Sequence, residues 1–333
     1  MSKIKIAIAG YGNLGRGVEL SLQQNPDMEL VAVFTRRPVG DIRLVDSQIP
    51  VVSMKDILDW TERVDVLVLC GGSATDLPEM GPVLAKSFNI IDSFDTHADI
   101  PDYFAAVDKS AKEGNKLGII SVGWDPGLFS LNRLYGEVVL PVGDTYTFWG
   151  KGVSQGHSDA IRRLPGVAHA VQYTVPSESA MDEARAGRGK DLTTRDKHVR
   201  DAYVVAQPGA DLAEIEHLIK TMPNYFADYD TKVTFISDEE LGKNHQGMPH
   251  GGFVIRSGQT GQLDKDNKQH SQVIEYSLAL DSNPEFTASA LVCYARAAYR
   301  LVSRDEIGAR SVFDIAPALL SPKTQDELLA DLL

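Results

Sequence analysis

Gly10, Gly12 and Gly15 follow the apolar run IKIAIA at G-x-G-x-x-G spacing, and Thr35-Arg36-Arg37 stands about 20 residues beyond them. After a strand and at the start of a helix, Gly10 permits the turn and Gly12 lets backbone approach a pyrophosphate. Gly15 lets the helix pack on the strand, and the free amides of the helix favour an anion. Turn glycines are the plainer alternative; the strand–helix setting favours a dinucleotide. An acidic residue at the end of the second strand would suit the ribose hydroxyls of NAD. A hydroxyl and two guanidiniums stand there instead, which suits the 2′-phosphate of NADP rather than a merely solvated basic pair.

Two further loops fall where apolar runs end. In CGGSATD, Gly71, Gly72 and Ser73 let backbone pass close to the reactive half of such a cofactor, although an ordinary turn is a fair rival. SVGWDPG carries Asp125, and DSFDTH carries Asp95. Taken singly, Asp95 reads as a helix cap before ADIPDYF and Asp125 as a turn carboxylate before Pro126. Taken alone, Thr174 is a strand residue, His250 a loop histidine, Asn283 an N-cap before Pro284, and Trp149 a core aromatic.

The elements that must position these groups change character along the chain. The first third alternates apolar runs (KIKIAIAG, MELVAVF, VDVLVLC, NIIDSF, KLGIISV) with helical segments (LGRGVELSLQQNP, SMKDILDW, TDLPEMGPVLAKS, PDYFAAVDKSAKEG). That pattern predicts a Rossmann-type, doubly wound parallel sheet with ligands at the carboxyl ends of its strands. From residue 123 to residue 283, alternating segments such as DTYTFWG, VAHAVQYTV, HVRDAYVVA, HGGFVIRSG and SQVIEYSLAL predict an α+β domain with a mixed or antiparallel sheet. The helix expected over PEFTASALVCYARAAYRLVSR begins a segment, 284–333, that returns to the first domain, residues 1–122. GQLDKDNKQH reads as an exposed hairpin loop.

Composition narrows the partners. Of 333 residues, 43% are hydrophobic and 24% charged, and the net charge of −13 argues against nucleic acid or an anionic membrane. No secretory signal and no run long enough to span a bilayer is evident, so a cytoplasmic location is expected. Cys70 and Cys293 offer no CxxC pair; buried thiols and no metal site are expected.

The segments GYGNLGR, TRRP, CGGSATD, VGWDPGLFSLNR, FWGKGVSQGHSDAIRRLPGV, VQYTVPS, TMPNYF, GMPHGG and NPEFTAS, in this order over nearly the whole chain, resemble the meso-diaminopimelate D-dehydrogenase family. The resemblance implies NADP-dependent oxidative deamination at the D-centre of meso-2,6-diaminopimelate. The products are ammonia and L-2-amino-6-oxopimelate, which cyclises to tetrahydrodipicolinate. The reverse, reductive amination feeds lysine and cell-wall precursors, and a homodimer formed through the second domain is expected. The rivals are a dihydrodipicolinate reductase-like enzyme, whose lysine- and histidine-rich catalytic stretch is not found, and a non-catalytic NADP-sensing module.

The same resemblance implies the site residues. For the cofactor they are Gly10, Tyr11, Gly12, Asn13, Leu14, Gly15, Thr35, Arg36, Arg37, Cys70, Gly71, Gly72 and Ser73. Asp92, Ser93, Phe94, Ser121, Val122, Gly123, Trp124 and Asp125 complete that set. Asp95 and Asp125 are placed at the reacting amine. His157, near Trp149, Ser154 and Gln155 in sequence, is expected on that ground, not from the resemblance, to organise the site or activate water on the imine. Trp149, Ser154, Gln155, Thr174, Arg200, His250 and Asn283 are placed on the remaining substrate positions. Gly72 and Phe94 depart slightly from the family pattern and change bulk near the cofactor, not chemistry.

Overall fold

A computed structural model describes residues 3–263, 265 and 269–333; Asp264 and residues 266–268, inside the expected hairpin loop, lie outside the described residues. The first elements are β1 (Ile4–Ala9), α1 (Asn13–Gln23), β2 (Met28–Thr35), β3 (Val51–Ser53), β4 (Val66–Leu69) and α2 (Leu77–Ala85). They are followed by β5 (Ile90–Asp92), α3 (Ile100–Gly114), β6 (Leu117–Ile119) and α4 (Leu128–Val139). SMKDILDW winds as a 3-10 helix, Met54–Arg63, not as an α-helix.

The middle of the chain forms β7 (Gly143–Trp149), β8 (Gly152–Val153), α5 (Gln155–Arg162), β9 (Val167–Pro176), α6 (Glu178–Arg185) and α7 (Thr194–Lys197). Then come β10 (His198–Ala206), α8 (Leu212–Lys220), β11 (Asp230–Phe235), α9 (Asp238–Asn244), β12 (His250–Thr260) and β13 (His270–Leu280). The chain closes with α10 (Asn283–Val302), β14 (Gly308–Arg310) and α11 (Gln325–Leu332).

Two compact units result: residues up to Leu131 together with Pro284–Leu333, and Asn132–Asn283. Residues 123–131 fall in the first unit, where Leu131 packs on the core beneath β1 and β4.

In the first unit seven parallel strands run in the order β14-β6-β5-β4-β1-β2-β3. Strand alternation divides their side chains between two cores. Ile6, Ile8, Val66 and Val68 meet Val18 of α1 and Leu291 and Ala295 of α10 on one face. Ala7, Ala9, Leu67 and Leu69 meet Leu84 and Val107 on the other. This two-sided burial explains the near-continuous apolar runs. Strand order reverses at β1, so the glycine turn after it sits at the topological switch point. The returning helix α10 is locked in place by Arg296, 1% exposed, which bonds Asp27 at 2.7 Å and 2.8 Å and Asn25 at 2.7 Å.

The second unit holds two sheets: a mixed one, β11-β10-β9-β8, whose β10–β11 pair is parallel, and an antiparallel one, β13-β12-β7. Among the described residues no helix is long and apolar enough to cross a membrane.

Candidate active site

The glycine turn after β1 has a backbone that only glycine allows. Gly10 has φ +99°, and a Cβ on Gly15 would lie 2.3 Å from the Gly10 carbonyl oxygen, so α1 can start this close to β1 only with glycine there. Gly12 faces open space and, as the N-cap residue, has no side chain to cap α1. The Gly10 N–H donates to Phe34 O at 2.8 Å, which holds the turn against the end of β2. There Thr35 is buried and its Oγ1 accepts the Arg37 N–H at 3.0 Å. Arg37 donates to the Tyr11 carbonyl, and the exposed Arg36 pairs with Asp76 at 2.8 Å. Arg37 thus reaches the glycine turn, while Arg36 reaches the loop after β4 through Asp76. These residues fit NADP. The N-terminal end of α1 would take the pyrophosphate; the guanidiniums would take the 2′-phosphate.

The other strand-end loops of this unit are tied to one another. Asp76 also accepts the Gly72 N–H at 2.8 Å, and a Cβ on Gly71 would lie 2.7 Å from Asp76 Cβ. Ser73 Oγ accepts the Asp95 N–H at 2.8 Å. Asp95 is exposed at the carboxyl end of β5, and Thr96, not Asp95, takes the cap position of the 3-10 turn His97–Asp99. Asp125 follows β6, half-buried beside the sealed Trp124. Asp92 has no exposed surface, so its side chain serves the loops rather than a ligand. Burial pushes the Cys70 thiol far above its usual range, which makes it a packing group; both cysteines are free.

In the second unit the mixed sheet gathers its own group. Thr174 on β9 lies between Gly152 on β8 and Arg200 on β10. Arg200, 7% exposed, donates to Thr174 Oγ1, and its guanidinium carbon lies 3.8 Å from the centre of the Tyr229 ring. Its Nε has no hydrogen-bond partner, and no carboxylate pairs with it among the described residues. Burial lowers the Arg200 pKa from its ordinary value. His157 sits edge-on to Tyr225 and Phe226, with Nδ1 2.7 Å from Ser154 Oγ. Burial first, and Arg200 second, push its imidazole down to about 4, so it is neutral at physiological pH.

His250 packs flat on β8: a Cβ on Gly152 would lie 2.6 Å from His250 Cγ. Asn283 donates its N–H to Met248 O at 3.0 Å, and Val153 donates to Pro249 O at 2.9 Å, which draws Asn283 and His250 toward Thr174. Trp149 is 41% exposed at the end of β7. Gln155 opens α5 toward solvent, and no hydrogen bond joins its side chain to this group.

Two residues of this group escape the sequence reading. His198, 4% exposed, accepts the Trp149 N–H on Nε2 at 2.9 Å and stacks on the indole at 5.6 Å and 26°. It precedes Arg200 by two residues, so strand alternation puts both on one face. Burial, then Arg200 and Lys197, hold it down to about 4. Tyr229 supplies the face under Arg200, with no local signal in FADYD.

Comparison with known proteins gives the same picture. A relative named meso-diaminopimelate D-dehydrogenase, from Ureibacillus thermosphaericus, is 63% identical over 333 residues, covering 100% of both chains. The chain belongs to the meso-diaminopimelate D-dehydrogenase family. The profile of the diaminopimelic acid dehydrogenase C-terminal domain matches residues 123–282. Two solved structures cover the whole chain and are covered whole by it. One is a C. glutamicum DAP dehydrogenase in complex with DAP, 45% identical with a TM-score of 0.87. The other is an engineered D-amino acid dehydrogenase bound to NADP+, 43% identical with a TM-score of 0.81. The resemblance carried by the WDPG, SQGHSDAIRR and MPHGG segments to the meso-diaminopimelate D-dehydrogenase family therefore holds from end to end.

Proposed function

We propose that this chain uses NADP to oxidise the D-centre of meso-2,6-diaminopimelate, releasing ammonia and L-2-amino-6-oxopimelate, reversibly, in lysine and cell-wall precursor metabolism. Full-length identity to meso-diaminopimelate D-dehydrogenases disfavours both the reductase-like and the sensing alternatives. Bound NADP supplies the hydride acceptor at its nicotinamide ring.

The residue roles follow from what the substrate demands. Its two amino-acid heads are chemically alike, so one must react while the other is only held. Hydride leaves Cα when the adjacent amine is neutral and can donate its lone pair; Asp95 and Asp125 accept hydrogen bonds, and the proton, from that amine. The neutral imidazole of His157 is a base, not an acid, at working pH, and through Ser154 it orders the water that attacks the imine carbon. Arg200 and Thr174 hold the far carboxylate, His250 and Asn283 the far ammonium, and Trp149 walls off the methylene chain.

The buried Arg200 carries this reading. A guanidinium this sealed, with no carboxylate of its own among the described residues, is set to receive one from a ligand. D-Lysine supplies the test, because it keeps the reacting centre and the chain length but lacks the far carboxylate. Its kcat/KM should be lower than that of meso-diaminopimelate by about 100-fold or more. Equal kcat/KM would remove Arg200 from recognition of the far head.

The assembly reading is a homodimer built on the second unit. Tyr135, Val138, Val139 and Val142 are 52–64% exposed at and just after the end of α4, and Val273 on the edge strand β13 is 47% exposed. Apolar side chains exposed in such number favour a second copy of the same surface. The net charge of −13, which disfavours an anionic membrane as partner, supports a cytoplasmic location.

A further inference from the structure

Asp92 ends β5 with 0% of its surface exposed, yet it is a carboxylate in a strand otherwise made of isoleucine. Sealing an ion this completely is unfavourable unless several donors meet it. Three do. Oδ1 accepts the Phe94 N–H and the Ser121 N–H, each at 3.0 Å, and Oδ2 accepts the Tyr103 hydroxyl at 2.7 Å. The Asp92 carbonyl also accepts the Val122 N–H at 2.9 Å. Burial pushes this carboxyl up to about 6 even against those bonds, so it is ionised in alkaline solution.

The two amides on Oδ1 belong to the two loops that carry Asp95 and Asp125. Phe94 immediately precedes Asp95, and Ser121 opens the SVGWDPG loop that bears Asp125. Ser121 holds φ +57°, a conformation a serine keeps only where its surroundings pin it. Phe94 stacks on Tyr103 at 4.1 Å and 20°, which fixes the first loop from its other side. Strand pairing ends at Ile91 and Ile119; beyond it the Val122 N–H still reaches the Asp92 carbonyl, and the Asp92 side chain adds the Phe94 amide of the first loop and the Ser121 amide of the second on one oxygen.

We propose that Asp92 is a positioning residue for the reacting head: one carboxylate oxygen, shared by the Phe94 and Ser121 amides, sets the loops of Asp95 and Asp125 in a single register. The proposal rests on the reading that Asp95 and Asp125 serve the reacting amine. Asp92 touches neither substrate nor cofactor with its side chain; it governs where the two exterior aspartates stand.

The test uses the full chain with NADP and meso-diaminopimelate. Asp92→Ala frees both amides, and kcat should fall about 100-fold, since a misplacement near 1 Å has that effect. The Kd for NADP, read by ligand-induced fluorescence change without turnover, should stay within about threefold. Asp92→Asn keeps an Oδ1 acceptor and should recover kcat to within about tenfold of wild type while remaining measurably below it. Tyr103→Phe leaves both loop amides held; it should lower Tm while kcat stays within about twofold. Wild-type kcat in a folded Asp92→Ala chain, or a loss confined to NADP affinity, overturns the proposal. If Asp92→Ala does not fold, Asp92→Asn with full kcat does so. Asp95→Asn and Asp125→Asn assayed alongside separate the two failures. Full kcat in both sinks the reading of the reacting head, and the Asp92 role with it. Loss in both without loss in Asp92→Ala sinks the positioning role alone.

Discussion

Replacing Arg200 by methionine separates recognition from folding. Methionine keeps most of the volume and removes the charge. For folding, the change loses one charged hydrogen bond to Thr174, worth about 1.5–3 kcal/mol, and the stacking on Tyr229, worth about 2 kcal/mol. Against these it relieves the burial of an ion with no counter-ion, a penalty of several kcal/mol. The two sides nearly cancel, so urea melts should show stability unchanged to within about 1 kcal/mol, or raised. For catalysis nothing cancels, because the far carboxylate of the substrate loses its partner in a desolvated site. The loss should be about 2–5 kcal/mol, a fall in kcat/KM of about 30- to 5,000-fold. Steady-state rates of NADPH formation over a wide range of meso-diaminopimelate concentrations read it directly. A folded Arg200→Met enzyme with kcat/KM within about threefold of wild type would refute the clamp. A chain destabilised by several kcal/mol would refute the claim that Arg200 stands without a counter-ion.

Three further outcomes follow from the same geometry. Arg36→Ala with Arg37→Ala should weaken NADP about 10- to 100-fold and NAD much less, by isothermal titration; equal weakening would mean the pair does not read the 2′-phosphate. His198 is held neutral down to about 4 in the folded chain, whereas the unfolded chain protonates it near 6.5. Its contribution to stability is therefore complete above pH 6.5 and falls as pH drops toward 4, by about 2–3 kcal/mol. The raised carboxyl of Asp92 works in the opposite sense, so the comparison is between wild type and His198→Asn at pH 7.5 and pH 5; equal pH dependence would contradict the buried neutral imidazole. If the proposed dimer forms through the exposed face at the end of α4, Val138→Glu with Val139→Glu should shift the mass measured by light scattering to that of a monomer; a wild-type chain of monomer mass would contradict the dimer, and an unchanged dimer mass in the variant would place the interface elsewhere.

What was legible in the residues depended on how far each signal acts along the chain. The parallel sheet showed in its apolar runs because strands buried on both faces leave no polar alternation. The strands Val51–Ser53 and Gly308–Arg310 did not show, because three residues carry no period and owe their state to pairing with β2 and β6. The α+β character of the second unit was visible in alternation, but its division into two sheets is a matter of pairing that no local pattern states. Thr35-Arg36-Arg37 offered its proposed chemistry through residue type and position, since two guanidiniums at the end of β2 suit a phosphate. His198 and Tyr229 did not, for the opposite reason: each acts through a residue distant in sequence, Trp149 and Arg200 respectively. Asp92 stood among expected cofactor contacts, and only its complete burial shows that its side chain faces the loops.

The central claim is the reaction itself, and one stoichiometric measurement bears on it most directly. Purified chain, saturated with NADP at alkaline pH, is given meso-diaminopimelate or the LL isomer, and NADPH and ammonia are followed together. The account predicts equal amounts of NADPH and ammonia from the meso compound, and turnover of the LL isomer slower by orders of magnitude because it has no D-centre. Absence of NADPH with the meso compound, or comparable rates with the LL isomer, would contradict it.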